Sequence, residues 1–243
     1  MIGHGACHYD LKFLVPRLKR FQQLGYPVEV LARNTERFIT LRIGSLLFID
    51  SMSFIGSSLH KASTILEEHE HVLTQHYFPN SFQLVKEKIE FPYTKLSSHE
   101  AALSLPAVLP QHEYYNDIRQ TNISNEEYAK LKTLATRFNL ITLQDMTMLY
   151  LDLDVLTLAD TCIAIRRMVR EHWQLDAFHY PTLGSLSYDI LLKESKVKIE
   201  LIHTDPTAYQ FAERGVVGGL AFAEKPGSSG RSARRSAPAC SQP

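Results

Sequence analysis

Cysteine is scarce in this sequence, and the three present, Cys7, Cys162 and Cys240, are too scattered for a disulfide framework or a C-x-x-C metal site. They fit a reducing compartment. Long apolar runs are missing as well: no stretch approaches the ~18 residues a membrane span requires, and the opening MIGHGACHYD lacks the apolar region of a secretion signal. The chain therefore reads as soluble and intracellular, with no membrane partner. Charge of one sign is not in excess either. The 26 basic side chains balance 26 acidic ones, so no global field draws the chain to a polyanion, and a nucleic-acid partner would have to be met by a local basic surface. No internal repeat is visible. The GVVGG at Gly215 to Gly219 lacks the G-x-G-x-x-G spacing of a dinucleotide fingerprint, and His4, Cys7 and His8 lack a fourth ligand for zinc.

What is present is enough apolar material for a sizeable core, 44% of 243 residues, in one large domain or two small ones. In LKFLVPRLKRFQQLG, Leu11, Leu14, Leu18 and Phe21 share a helical face, and Pro16 predicts a kink or a helix start. From Tyr26 the period changes. YPVEVLAR, FITLRIG and SLLFIDS read as three strands, with the all-apolar LLFI placed centrally in the sheet. SSLHKASTILEEHEHVLTQH reads as a helix on which His69, His71 and His76, among glutamates, decorate a wet face. Residues 97–122 have no stable period and read as a long excursion. Ser124 and Glu127 in ISNEEYAKLKTLATRFN form a capping box, with Tyr128, Leu131, Leu134, Ala135 and Phe138 as the buried face. A helix at Ser187 to Lys193 and a strand at Val197 to Ile202 follow. Beyond Gly219 the Ser-, Pro-, Gly- and Arg-rich composition predicts a disordered basic tail.

YLDLDVLTLAD, Tyr150 to Asp160, puts three aspartates into a stretch that otherwise reads as core. An ionised carboxylate taken out of water costs several kcal/mol unless a cation or hydrogen bonds meet it, so at least one of them should reach solvent or have a partner. As a strand, the segment would set Asp152 and Asp154 on one face. As a helix, Tyr150, Asp154 and Leu158 stack, Leu151, Val155 and Cys162 form an adjacent apolar row, and Asp152 turns to solvent. The flanks favour the helix, since no Gly or Pro interrupts Thr142 to Trp173.

The order of these elements resembles one family. An apolar segment with Tyr9-Asp10, three strands ending in FIDS, Ser58-Leu59 before a helix, the capped ISNEEY helix, LYLDLDVLTLAD, and a late Gly-Gly are together similar to the protein-primed family B DNA polymerases of viruses, linear organellar plasmids and Maverick/Polinton elements. The resemblance runs from about His4 to Gly219. It implies an α/β fold: an incomplete ribonuclease-H-like 3′–5′ exonuclease domain over 1–173, a connector toward a missing polymerase palm over 174–220, and the tail over 221–243. Tyr150 and Asp154 match the Y-x-x-x-D motif, Asp10 the aspartate of the second motif and Tyr9 its aromatic. Asp10 and Asp154 would then share a Mg2+ pocket. Ser58 and Leu59 match a motif that contacts single-stranded DNA, Lys86 with Ile89 a K-x-x-apolar motif at the scissile phosphate, and Gly218 and Gly219 the Y-x-G-G element. DNA and a terminal protein primer are the implied partners.

The chain departs from the family pattern at named places. Gly5 stands where the second motif has asparagine, and Val216 replaces the tyrosine of Y-x-G-G. The D-x-E of the first exonuclease motif and the palm aspartates fall outside the sequence. Two other readings compete: a metal-dependent glycosyltransferase using Asp152-x-Asp154 on a strand, and a catalytically dead remnant or single-stranded-DNA-binding module acting through Ser58 and Lys86.

Overall fold

A computed structural model of the chain describes residues 1–32, 38–116, 120–199 and 205–215. Strands β1 (Ile2–Gly3), β2 (Val28–Ala32), β3 (Phe38–Ile43) and β4 (Leu46–Asp50) form a mixed sheet with the spatial order β1-β4-β3-β2. The three predicted strands are all present and antiparallel. β3 and β4 are closed by the two-residue turn Gly44-Ser45, where Gly44 takes φ +59°, a left-handed backbone that glycine adopts without strain. β4 is interior, as its apolar run requires, because the very short β1 pairs with its other edge in parallel, Ile2 opposite Ile49 and Gly3 opposite Asp50.

Helix α1 (Asp10–Leu14), a 3-10 turn (Val15–Arg17) and α2 (Leu18–Gln23) follow one another with right-handed backbone at each junction. Pro16 sits within the tightened turn rather than in a regular helix interior, where its missing N–H would break the ladder. The shared face of Leu11, Leu14, Leu18 and Phe21 packs on Leu41, Ile43, Val28 and Phe48 of the sheet.

After the sheet come α3 (Met52–Ile55), α4 (Leu59–Ile65), a 3-10 turn (Glu68–Glu70), α5 (Val72–Tyr77) and α6 (Phe82–Val85). The single helix predicted here is interrupted. Leu66 is extended, and a Glu67–Glu70 capping box starts the chain again. As a result His71 does not lie on a wet face: it is 5% exposed, its ring edge-on to Phe82, and burial lowers its pKa. The supposed excursion also belongs to the core. It carries α7 (His99–Ser104) and a 3-10 turn (Gln111–Tyr114), and Ala107, Leu109 and Tyr114 are buried.

Helix α8 (Asn125–Arg137) has the expected reciprocal cap, with the Glu127 N–H donating to Ser124 Oγ at 3.2 Å and the Ser124 N–H to Glu127 Oε2 at 2.9 Å. Helix α9 (Leu143–Trp173) is the long one, capped by Thr142 with Asp145. Its first half shares a core with α8 through Leu143, Met146, Leu149, Tyr150 and Leu153. Its second half brings Ile165, Val169 and Trp173 into another core with Leu47 and Ile49 of β4, Phe54, and Leu186 of α10 (Leu183–Ser195). The apolar row expected on α9 is only partly buried: Leu151 and Val155 are exposed, and Cys162 is covered.

The chain divides into two units, Met1–Lys196 and Val197–Pro243. The domain boundary expected at 173 thus falls inside the first unit, because α10 shares its core. In the second unit, residues 197–199 have no regular structure and α11 (Pro206–Gly215) is helical. Residues 200–202 of the expected strand, Gly218, Gly219 and the tail 221–243 lie outside the described residues.

The three aspartates of YLDLDVLTLAD meet three different ends. Asp152 is exposed, as expected. Asp160 is fully buried and has no ion pair among the described residues: its carboxylate accepts from the N–H groups of Leu73 and Thr74 at 2.7 and 3.0 Å and from the Thr74 hydroxyl at 2.6 Å, serving as a distant cap for α5. Replacing Asp160 by alanine leaves those donors without an acceptor and should lower the unfolding free energy by about 3 kcal/mol. Asp152→Ala should stay within about 0.5 kcal/mol. Urea denaturation of the two variants beside the parent protein measures both.

Candidate functional site

Asp154 leaves α9 one turn after Tyr150 and enters a cavity of about 550 Å3, also lined by His4, Ser58, Leu59, Lys88 and Tyr93. The i, i+4 spacing puts Tyr150 and Asp154 on one face of the helix. Asp152 points elsewhere, so the side-by-side D-x-D geometry of a strand is not formed. Lys88 is the counter-ion of Asp154, Nζ to Oδ1 3.9 Å, both side chains about one-third exposed, and it also lies 5.3 Å from the centroid of the Tyr150 ring.

Tyr150 is packed by aromatic rings. Phe91 lies 4.9 Å from it and Tyr93 stands perpendicular at 6.0 Å, with the two tyrosine hydroxyls 2.5 Å apart. Burial, the Tyr93 hydroxyl and the Asp154 charge push the Tyr150 phenol well above its ordinary pKa. It stays protonated at any ordinary pH, able to donate a hydrogen bond but not to serve as a base. The two tyrosine hydroxyls pair, either being able to donate, and Tyr93, Tyr150, Asp154 and Lys88 follow one another as neighbouring polar groups.

The N-terminal segment reaches the same cavity through His4, whose Nδ1 is 2.9 Å from Ser51 Oγ and whose pKa is lowered by burial. A second buried carboxylate met by backbone donors shapes that segment. Asp50, 1% exposed at the end of β4, accepts from the N–H groups of Gly5, Cys7 and Met52 at 2.9, 2.9 and 3.0 Å. Gly5 takes φ +73°, a conformation in which asparagine is the next most tolerated residue, and a β-carbon there would meet Met52 Sδ at an ordinary 3.5 Å.

Of the residues singled out from sequence, the structure brings Asp154, Ser58 and Leu59 around the cavity, with Tyr150 buried beside it. The Ser58 hydroxyl also caps α4, accepting from Lys61 N–H at 3.3 Å. Asp10, the first residue of α1, and Tyr9 are exposed and do not line the cavity. Lys86 does not line it either; its charge acts on His71 and Glu87. Lys88 does, and the K-x-x-apolar spacing that pointed to Lys86 and Ile89 is met equally by Lys88 and Phe91. Tyr93 and Asp50 were also missed. Their signals were a tyrosine two residues after Phe91 and a carboxylate closing an all-apolar strand.

Charge at the cavity is mixed. Glu90, Glu127 and Asp154 face it with Lys88, so it is not a basic groove. Among the described residues no three His, Cys, Asp or Glu side chains converge to hold a metal ion. A divalent ion prefers several oxygen ligands; here Asp154 stands opposite an ammonium, and the residues described do not by themselves fit a Mg2+ site.

Comparison with known proteins adds the context. The family described as DNA polymerase type B, organellar and viral, matches residues 4–233. The chain is also 22% identical over 184 residues to a probable DNA polymerase of Neurospora intermedia, which covers 75% of this chain and 17% of that protein, so the chain spans under a fifth of its relative. No solved structure is similar to it.

If the two hydroxyls pair as described, Tyr93→Phe and Tyr150→Phe should each destabilise the protein, and the double variant should cost less than their sum by about 1 kcal/mol. A double-mutant cycle on urea unfolding reads this coupling directly; strict additivity would mean that the hydroxyls do not interact.

Proposed function

Because the chain belongs to the organellar and viral type B DNA polymerases, we propose that it supplies part of a proofreading 3′–5′ exonuclease and receives the 3′ end of a single DNA strand in the Asp154 cavity. The observation that carries this reading is the convergence of Asp154, Lys88, Ser58 and Leu59, from three separate segments, at one cavity, with Tyr150 buried beside it. In this role Lys88, rather than Lys86, faces the scissile phosphate and offsets the charge that gathers on it in the transition state. Tyr150, kept protonated and fixed by Tyr93, orients the attacking water through its hydroxyl. Leu59 packs on an unpaired base, and Tyr9 meets the strand as it enters.

The described residues do not complete a Mg2+ site, since Asp154 lines the cavity and Asp10 does not; such a site would need further carboxylates, such as those of a D-x-E segment. The residues from 174 to 220 would then connect toward a polymerase palm, with Gly218 and Gly219 at the crossing, and a terminal protein would act as primer. A second reading is favoured for the isolated chain by its carboxylate set, which converges on no metal position among the described residues: it binds a strand without cutting it.

An oligonucleotide ending in 4-thiothymidine tests this. Irradiation should cross-link its 3′ end to the peptides containing Leu59 and Tyr93, and Lys88→Met should weaken the cross-link about tenfold, since it removes one charge-assisted bond to phosphate. Incubated with Mg2+, the isolated chain should neither degrade the strand nor extend a primer. Cross-links confined to surfaces away from these peptides would refute the cavity as the strand site, and Mg2+-dependent cleavage abolished by Asp154→Ala would refute the non-cutting form.

A further inference from the structure

A cavity faced by three carboxylates and one lysine does not attract a polyanion from solution, although the proposed function needs a DNA strand to arrive there. The attraction must come from another surface. Among the described residues, several cations elsewhere on the chain have acidic partners: Arg42 with Glu29, Lys95 with Glu113, Lys130 with Glu87, and Arg166 and Arg170 with Asp176. The segment between Asp10 and Glu29 is different. It contains Lys12, Arg17, Lys19 and Arg20 and no acidic residue. All four are exposed, and none makes an ion pair among the described residues.

Their placement follows from how α1 and α2 are buried. With Leu11, Leu14, Leu18 and Phe21 turned to the sheet, the opposite face of this nearly continuous rod presents Tyr9, Phe13, Arg17 and Arg20 at successive helical turns, flanked by Lys12 and Lys19. Tyr9 is 73% exposed and Phe13 80%, unusual for rings on a helix that already has a full apolar face. Guanidinium and ammonium groups interleaved with open aromatic rings suit one chemistry: a flexible chain of phosphodiesters whose bases are unpaired and free to stack. The stripe also starts beside the cavity-lining segment, since the Tyr9 ring lies 3.8 Å from the β-carbon position of Gly5, the neighbour of His4.

We propose that the outer face of α1 and α2 is a second binding surface for single-stranded DNA, separate from the cavity, which captures the strand by charge and stacking and leads it toward Tyr9. The proposal rests on the strand reading given above, yet the two can fail separately, because cavity occupancy is read by where the 3′ end cross-links and the stripe by affinity and its salt dependence. Fluorescence anisotropy with a labelled oligothymidylate of about 15 nucleotides, long enough to cover both surfaces, is measured in EDTA so that no metal contributes. The full chain should bind with a Kd that weakens steeply with salt.

Combining Lys12→Gln, Arg17→Gln, Lys19→Gln and Arg20→Gln should raise Kd about tenfold or more at low salt and flatten the logarithmic salt slope by ~0.7 for each phosphate no longer neutralised. Phe13→Ala should weaken binding several-fold with the slope unchanged, since stacking releases no counter-ions. These side chains are exposed, so far-UV circular dichroism and the urea midpoint should match the parent; Arg20→Gln alone, with a slope change worth one phosphate, serves if the combined variant does not fold. An unaltered Kd and slope in these variants would overturn the proposal while leaving the cavity reading intact. Binding to poly-glutamate in preference to the oligonucleotide would overturn it as well, by making the surface a site for acidic polypeptide.

Discussion

A carboxylate withdrawn from water without a cation must be met by several aimed hydrogen-bond donors, and in proteins the cheapest donors that cannot rotate away are backbone N–H groups. Asp160 and Asp50 both rely on such donors, Asp50 with the His8 ring also 3.6 Å from its carboxylate, and much of the architecture follows from it. Asp160, near the middle of α9, takes the orphan N–H groups at the start of α5 and so fixes where the α4–α5 region lies along the long helix. Asp50, at the end of β4, takes the N–H groups of Gly5 and Cys7 and so fixes where the N-terminal turn lies against the sheet. Neither anchor uses a long flexible side chain, so little rotamer entropy is lost in making them. With both in place, segments far apart in sequence, His4, Ser58-Leu59, Lys88 to Tyr93 and Asp154, arrive at one cavity.

The same energetic rule sorts the aspartates of α9 by what each faces. Asp152 meets water and needs no partner. Asp160 meets backbone donors and is structural. Asp154 alone combines partial exposure, a lysine at 3.9 Å and a buried tyrosine one turn away. An ion pair of that exposure contributes little to stability, ~1 kcal/mol or less, so stability is a poor reason for the arrangement. Its chemical consequence is larger: a lysine beside an acid in a cavity is available to a bound anion once the anion competes for it, and Tyr93 holds the neighbouring phenol in its protonated form.

How much of this was legible in the sequence depended on distance along the chain. Both capped helices, Ser124 with Glu127 and Thr142 to Trp173, could be read because their determinants lie within four residues. The three antiparallel strands were legible for the same reason, being joined by local turns. What was not legible depends on distant partners. The parallel strand β1 is two residues long and exists because β4 offers a distant edge, Ile49 opposite Ile2 and Asp50 opposite Gly3. His71 is buried because Leu66 breaks the helix and Phe82 returns to cover it, and residues 97–122 look aperiodic because their apolar side chains serve α8 and α9 singly rather than as a face of their own. Lys86 and Lys88 satisfy the same short pattern, and only packing shows that the second faces the cavity while the first sits by His71. The dense Leu151–Val155 row was legible as apolar but not as exposed, since periodicity marks a surface without saying what covers it.

Gly5 shows how a departure from a family pattern can be physically conservative. The turn it occupies has positive φ, and its N–H donates to Asp50, so the position demands a residue at ease in the left-handed region. Asparagine and glycine share that tolerance; what glycine gives up is the side-chain amide, not the turn. The scaffold that presents His4 to the cavity is therefore compatible with either residue. At this position the backbone turn and the buried aspartate beneath it constrain the residue more than any side-chain group it could offer. That ordering is what the energetics demand, because an absent hydrogen bond to a ligand weakens binding, whereas an unmet buried Asp50 would unfold the wall of the cavity.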